Sequence, residues 1–192
     1  MNKIIYNPFE KFSEVQLFAS GLALAIGGSL LGFLFHSRFD GILDVHPDPG
    51  VLIHQPFIDN AINTVSLFLL LLLLGYIVNK KTRAIDILNT SLIARSPFYL
   101  LAIGNSNDFF SKLEAKINPG NPLDVNFTAL DFTIITVFSI FSIAFLVWFA
   151  ALLYNGFKTA TNVKAISHKI AFGFAIILAE VLSKIIMSLL NY

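Results

Sequence analysis

Cysteine is absent from the 192 residues. Its absence excludes disulfides, thiolate nucleophiles, thiolate metal centres and a lipid anchor on cysteine. Charge is also scarce. Asp, Glu, Lys and Arg make up 13% of the chain, where a soluble domain carries about 25%. Thirteen basic residues against twelve acidic ones leave a formal net charge of +1, so no overall field favours nucleic acid. There is no G-x-S-x-G, no Walker A loop, no glycine-rich dinucleotide fingerprint and no H-E-x-x-H. A soluble-type enzyme is therefore not expected, and neither is a cofactor.

What the chain has instead is 56% hydrophobic residues, gathered into five long runs at 15–35, 62–78, 87–103, 134–154 and 170–190. About 20 apolar residues at helical rise cover the hydrocarbon core of a bilayer. Only helices and closed barrels satisfy their backbone there. A barrel needs alternating polarity, and the leucine-rich run 67–74 does not alternate. The expected fold is an all-α integral membrane protein with five transmembrane helices, forming one domain over 1–192. The loops are too short for a second core. The first run is longer than a signal-peptide core and no A-x-A site follows it, so it reads as a retained span.

Between the runs, Pro8 divides residues 1–14 into an interfacial segment rich in Ile, Tyr and Phe. Pro47, Pro49 and Pro56 predict an irregular loop over 36–61. Residues 80–83 make a tight basic turn, and N-P-G-N-P at 118–122 is a turn signal in the second long loop. Lysine and arginine set the expected orientation. Lys3, Lys11, Lys80, Lys81, Arg83, Lys158, Lys164 and Lys169 fall on one side, and Arg38, Lys112 and Lys116 on the other. The N-terminus is thus expected in the cytosol and Tyr192 outside.

Few residues are candidates for chemistry. Arg95 interrupts the third run and is followed by Ser96 and Pro97. A charge near the bilayer centre costs about 2.5–3.5 kcal/mol on insertion scales. Two readings stay open: a polar gate at a broken helix, or an arginine that snorkels to the interface from a displaced span. Glu180 and Lys184 stand four apart in the fifth run, the favoured order for a helical ion pair. They read as a packing pair or as a proton or ion relay, with Arg95 as a competing partner for Glu180.

Small residues recur at fourth positions, at Gly28 and Gly32 and at Ala171, Ala175, Ala179 and Ser183. That spacing lets helices approach closely, within the chain or between copies. The first outer loop holds Asp44, His46, Asp48 and His54. Imidazole and carboxylate can bind a divalent cation, but the ligand spacing is not compact and prolines separate the candidates, so no metal is expected.

Two segments resemble the Yip1 domain family. L-L-Y-N-G-F-K-T-A-T-N-V-K-A-I-S-H-K-I-A at 152–171 is similar to the end of its fourth span and the polar connector into the fifth. I-L-N-T-S-L-I-A-R-S-P-F-Y-L-L at 87–101 is similar to the polar third span of bacterial members, with its step from a small residue to proline. The resemblance implies a five-helix membrane domain with a cytosolic N-terminus. Eukaryotic members act in vesicle traffic with prenylated small GTPases through a long N-terminal region. Here about fourteen residues precede the first run, so that partnership does not carry over, and no site residue is transferred.

The expected role is therefore non-enzymatic: an accessory or organising protein of a bacterial inner membrane. Its partners are the lipid bilayer and other membrane proteins or itself. The alternatives are a small transporter or channel component using Arg95, Glu180 and Lys184, and a membrane enzyme built on the outer His/Asp loop.

Overall fold

The computed structural model describes residues 3–118 and 120–190; Tyr192, expected outside, is not among them. The first long helix, α1 (Glu14–Leu34), starts where a capping box supplies its free amides. Ser13 Oγ accepts from the Gln16 amide and Gln16 Oε1 from the Ser13 amide. It ends at Leu34, and His36, with a φ of 47°, turns the chain away from the helix. Asn105 Nδ2 then donates to the Phe35 and His36 carbonyls at 2.9 and 3.0 Å.

The second helix, α2 (His54–Val78), begins eight residues before the expected start at 62. Pro56 sits in its first turn, where an absent N–H removes no helical bond. The loop from α1 to α2 is correspondingly shorter than expected. It is also partly regular: β1 (Ser37–Arg38) pairs antiparallel with β2 (His46–Pro47).

The expected third span, 87–103, is not one helix. It is α3 (Ala84–Ala94), a break at Arg95, α4 (Ser96–Leu101) and a 3-10 stretch at Ala102–Asp108. Pro97 explains the break, because it cannot donate to the preceding turn and its ring crowds it. A short helix α5 (Phe109–Glu114) and a hairpin of β3 (Ile117–Asn118) and β4 (Asn121–Val125) follow. Next come α6 (Ala129–Thr161), with Thr128 and Asp131 as its capping box, and α7 (Ile166–Leu190). Four helices are long and apolar enough to cross a membrane: α1, α2, α6 and α7.

Contacts at the helix ends fix the chain's path. Glu14 and Arg83 pair at 2.8 Å, so α1 and α3 start at one end of the bundle. Asn79 Nδ2 donates to the Thr161 carbonyl at 3.3 Å, so α2 and α6 finish together. The α1–α2 loop meets α7 near Glu180 at the opposite end. The core runs through the middle: Leu67 and Leu71 of α2, Ile87 of α3, Phe98 of α4, Phe149 and Leu153 of α6, and Ala179 of α7. The N-terminal segment lies along α6, where Trp148 Nε1 donates to the Ile5 carbonyl at 2.8 Å and Asn155 Nδ2 to the Tyr6 carbonyl at 2.9 Å.

The small-residue positions serve contacts inside the chain. A Cβ at Gly28 would land in the Tyr99 ring, and one at Gly32 would meet Phe39 Cε2 at 2.7 Å. On α7, Ala175, Ala179 and Ser183 are buried and Ala171 is half-buried, where the helix packs along α2.

Candidate functional site: an inserted loop and a charged cavity

The loop between α1 and α2 enters the bundle. Phe39 and Ile42 are fully buried, and Ile42 belongs to the central core. Irregular backbone at such depth must have its polar groups satisfied by neighbours. Four polar side chains of the helices do this. Arg95 Nη1 donates to the Ile42 carbonyl at 3.2 Å. Glu180 Oε2 accepts from the Leu43 amide at 2.9 Å. Asn63 Nδ2 donates to the Phe39 carbonyl at 2.7 Å, and Asp59 Oδ2 accepts from the Phe39 amide at 3.3 Å. Residues 42 and 43 are thus gripped from two sides, by the break between α3 and α4 and by α7.

Arg95 does not snorkel. Its exposure is 0%, and it sits at the helix break with its guanidinium 5.9 Å from the Tyr99 ring centroid. Its Nη2 donates to Asn60 Oδ1 at 3.1 Å, and Asn60 Nδ2 donates in turn to Ser29 Oγ at 2.9 Å. Among the described residues no carboxylate lies within ion-pair distance of it. The competing Arg95–Glu180 pair is therefore not formed, and the loop backbone lies between the two.

Sequence reasoning missed Arg38 and Asp59. They form a bidentate pair, Nε to Oδ2 at 2.7 Å and Nη2 to Oδ1 at 2.8 Å, with side-chain exposures of 9% and 0%. Both fall in the stretch 36–61, where the prolines predict an irregular loop. The available signal was Asp59 and Asn63 four apart, ahead of the leucine-rich run 67–74, which puts two polar groups on one face of a helix start.

Glu180 does pair with Lys184, at 3.3 Å, but Lys184 sits closer to Asp44, at 2.8 Å. Lys184 is half-exposed and lines an open cavity of about 390 Å³ with Arg38, Asp40, Asp44 and His46. The last turns of α7, at Met187 and Ser188, complete the wall. His46 Nδ1 pairs with Asp40 Oδ2 at 2.9 Å. The hydrogen bond to Asp40 outweighs burial and raises the imidazole pKa above its ordinary value. For Asp40, burial pushes upward, but the hydrogen bond and charge of His46 prevail and lower it.

The four weak metal candidates are dispersed among different partners. Asp44 holds Lys184, His46 holds Asp40, and Asp48 accepts from the Gly50 amide at 2.9 Å. His54 is exposed at the start of α2. Among the described residues no three His, Asp or Glu stand together as a metal set.

The sequence matches no protein-family model, no curated protein and no solved structure. The fold and the site alone define the class: a helical protein with four helices fit to cross a membrane and an irregular loop held within them by buried polar side chains.

Proposed function

We propose that this chain is a Yip1-like integral membrane protein of a bacterial inner membrane, crossing the bilayer five times with a cytosolic N-terminus. We further propose that it acts by assembling with other membrane proteins or with itself rather than by catalysis or transport. One observation carries the role: the charges inside the bundle are engaged in holding the loop. Arg95 is sealed from solvent and bound to a backbone carbonyl and an asparagine. A transporter would need such a group on an open path at mid-membrane.

The large apolar surface supports action through contact. Of the most apolar 18 residues of α6, 6% are buried within the chain. The fifth crossing is supported by α3 and α4, whose polar residues Asn89, Thr90, Ser91 and Arg95 are all buried within the chain. The Yip1-like assignment rests on the two segments that carry the resemblance, 87–101 and 152–171, and these touch. A Cβ at Gly156 would run into Thr90, so α6 and α3 touch backbone to side chain there.

Cross-linking in native membranes, followed by gentle extraction and mass spectrometry, tests the role. Recovery of a stoichiometric membrane partner or a homo-oligomer is expected. Recovery of the chain alone, together with solute flux in proteoliposomes that Lys184→Gln abolishes, would favour the transporter.

A further inference from the structure

The charged cavity is open and holds two ion pairs side by side. The side chains of Asp40, Asp44, His46 and Lys184 keep 41–48% of their surface, although each already has a partner. The Arg38–Asp59 pair behind them is closed. Each of the four open side chains retains hydrogen-bonding capacity beyond the bonds it makes, so both signs of charge face one small space.

That space does not end at the charges. Asp44 also lines a crevice of about 270 Å³ whose walls are mainly apolar, with Phe98 and Leu101 of α4 on one side and Phe138 and Leu146 of α6 on the other. A third space shares His46 with the charged cavity, and Leu101 and Phe138 with the crevice. The chain at 44–46 therefore has paired charges on one side and an apolar slot between two helices on the other. A ligand matching both needs a headgroup carrying a cation and an anion, and a hydrocarbon tail.

We propose that the cavity and crevice form one binding site for a phospholipid with a zwitterionic aminophosphate headgroup, of the phosphatidylethanolamine type. The ammonium faces Asp44 and Asp40, the phosphate faces Lys184 and His46, and an acyl chain enters the slot between α4 and α6. A primary ammonium donates hydrogen bonds to carboxylates, whereas a trimethylated headgroup has no N–H to donate and a glycerol headgroup has no cation. This site stands apart from the assembly role, because it is complete within one chain.

The test is native mass spectrometry of the delipidated full chain, titrated with phosphatidylethanolamine, phosphatidylcholine, phosphatidylglycerol and free phosphoethanolamine. Phosphatidylethanolamine is expected to bind about tenfold or more tightly than either other lipid, the range expected for one charge-assisted hydrogen bond. Free phosphoethanolamine should bind more weakly than the lipid, since it leaves the slot empty. Asp44→Asn should remove the preference for the ethanolamine headgroup. Ser188→Trp, which fills the cavity and leaves every ion pair intact, should abolish binding while the melting temperature in detergent stays near wild type. Equal binding of the three lipids, or undiminished binding by Ser188→Trp, would overturn the proposal. Free phosphoethanolamine binding as tightly as the lipid would overturn its lipid half.

Discussion

At the scale of single residues, the polar groups among the helices act on backbone rather than mainly on one another. Glu180 distinguishes the two roles. Its contact with Lys184 is half-exposed on one side, and such pairs contribute about 0–1 kcal/mol. Its bond to the Leu43 amide is a hydrogen bond to a charged acceptor, a type that contributes about 1.5–3 kcal/mol. Glu180→Gln keeps an acceptor for Leu43 and loses only the charge, whereas Glu180→Leu loses both. Melting in detergent should show a small drop for Glu180→Gln and a larger one for Glu180→Leu. Equal losses would mean that charge pairing, not the backbone cap, is what matters.

The Asp40–His46 clasp adds a pH dependence whose sign follows from the two shifts. His46 is raised, so its contribution is complete below about 6.5 and is lost as pH rises through its folded value. Asp40 is lowered, so its contribution is complete above 3.8 and is lost as pH falls through its folded value. The stability difference between wild type and His46→Gln should therefore be largest between about pH 4 and 6.5 and shrink above neutrality. A difference that grows with pH would contradict the pairing.

At the scale of elements, apolar length was legible and polar interruption was not. The first helix was expected at 15–35 and runs over Glu14–Leu34, because a capping box and a long apolar run agree there. The start of α2 was misplaced because Pro56, Asp59 and Asn60 look like loop residues. In the fold, the proline occupies a tolerant first turn, Asp59 meets the inserted loop, and Asn60 meets Ser29 and Arg95 instead of water. Arg95 and Pro97 leave a broken helix as one of two readings of the sequence, because the depth of Arg95 depends on contacts from residues 42 and 60, far away in the chain. The Arg38–Asp59 pair escaped for the same reason.

Glycine roles on α1 separate cleanly in the structure. Gly28 abuts the Tyr99 ring, while a Cβ at Gly27 meets nothing within 4 Å. Gly28→Ala should destabilise by about 1–3 kcal/mol through overpacking. Gly27→Ala should be neutral or stabilise by up to about 1 kcal/mol through helix propensity. Thermal melting of the two variants checks this, and equal behaviour would mean that α1 is rotated from the face described.

At the scale of the whole molecule, the fold closes one end of its bundle with its own chain. Phe39 and Ile42 are buried among the helices, and four polar side chains bond the backbone they bring with them. The outward surface is left to apolar helix faces, most of all on α6. This division, polar groups turned inward onto a loop and apolar faces turned outward, is the basis on which we propose an organising role. The most direct measurement is amide hydrogen exchange of the full chain in nanodiscs, resolved at residues 39–43. The account predicts that the Phe39 and Leu43 amides exchange as slowly as the interior of α2, and that Glu180→Leu selectively releases Leu43. Exchange of both amides at the rate of an unstructured peptide in the wild-type protein would contradict it.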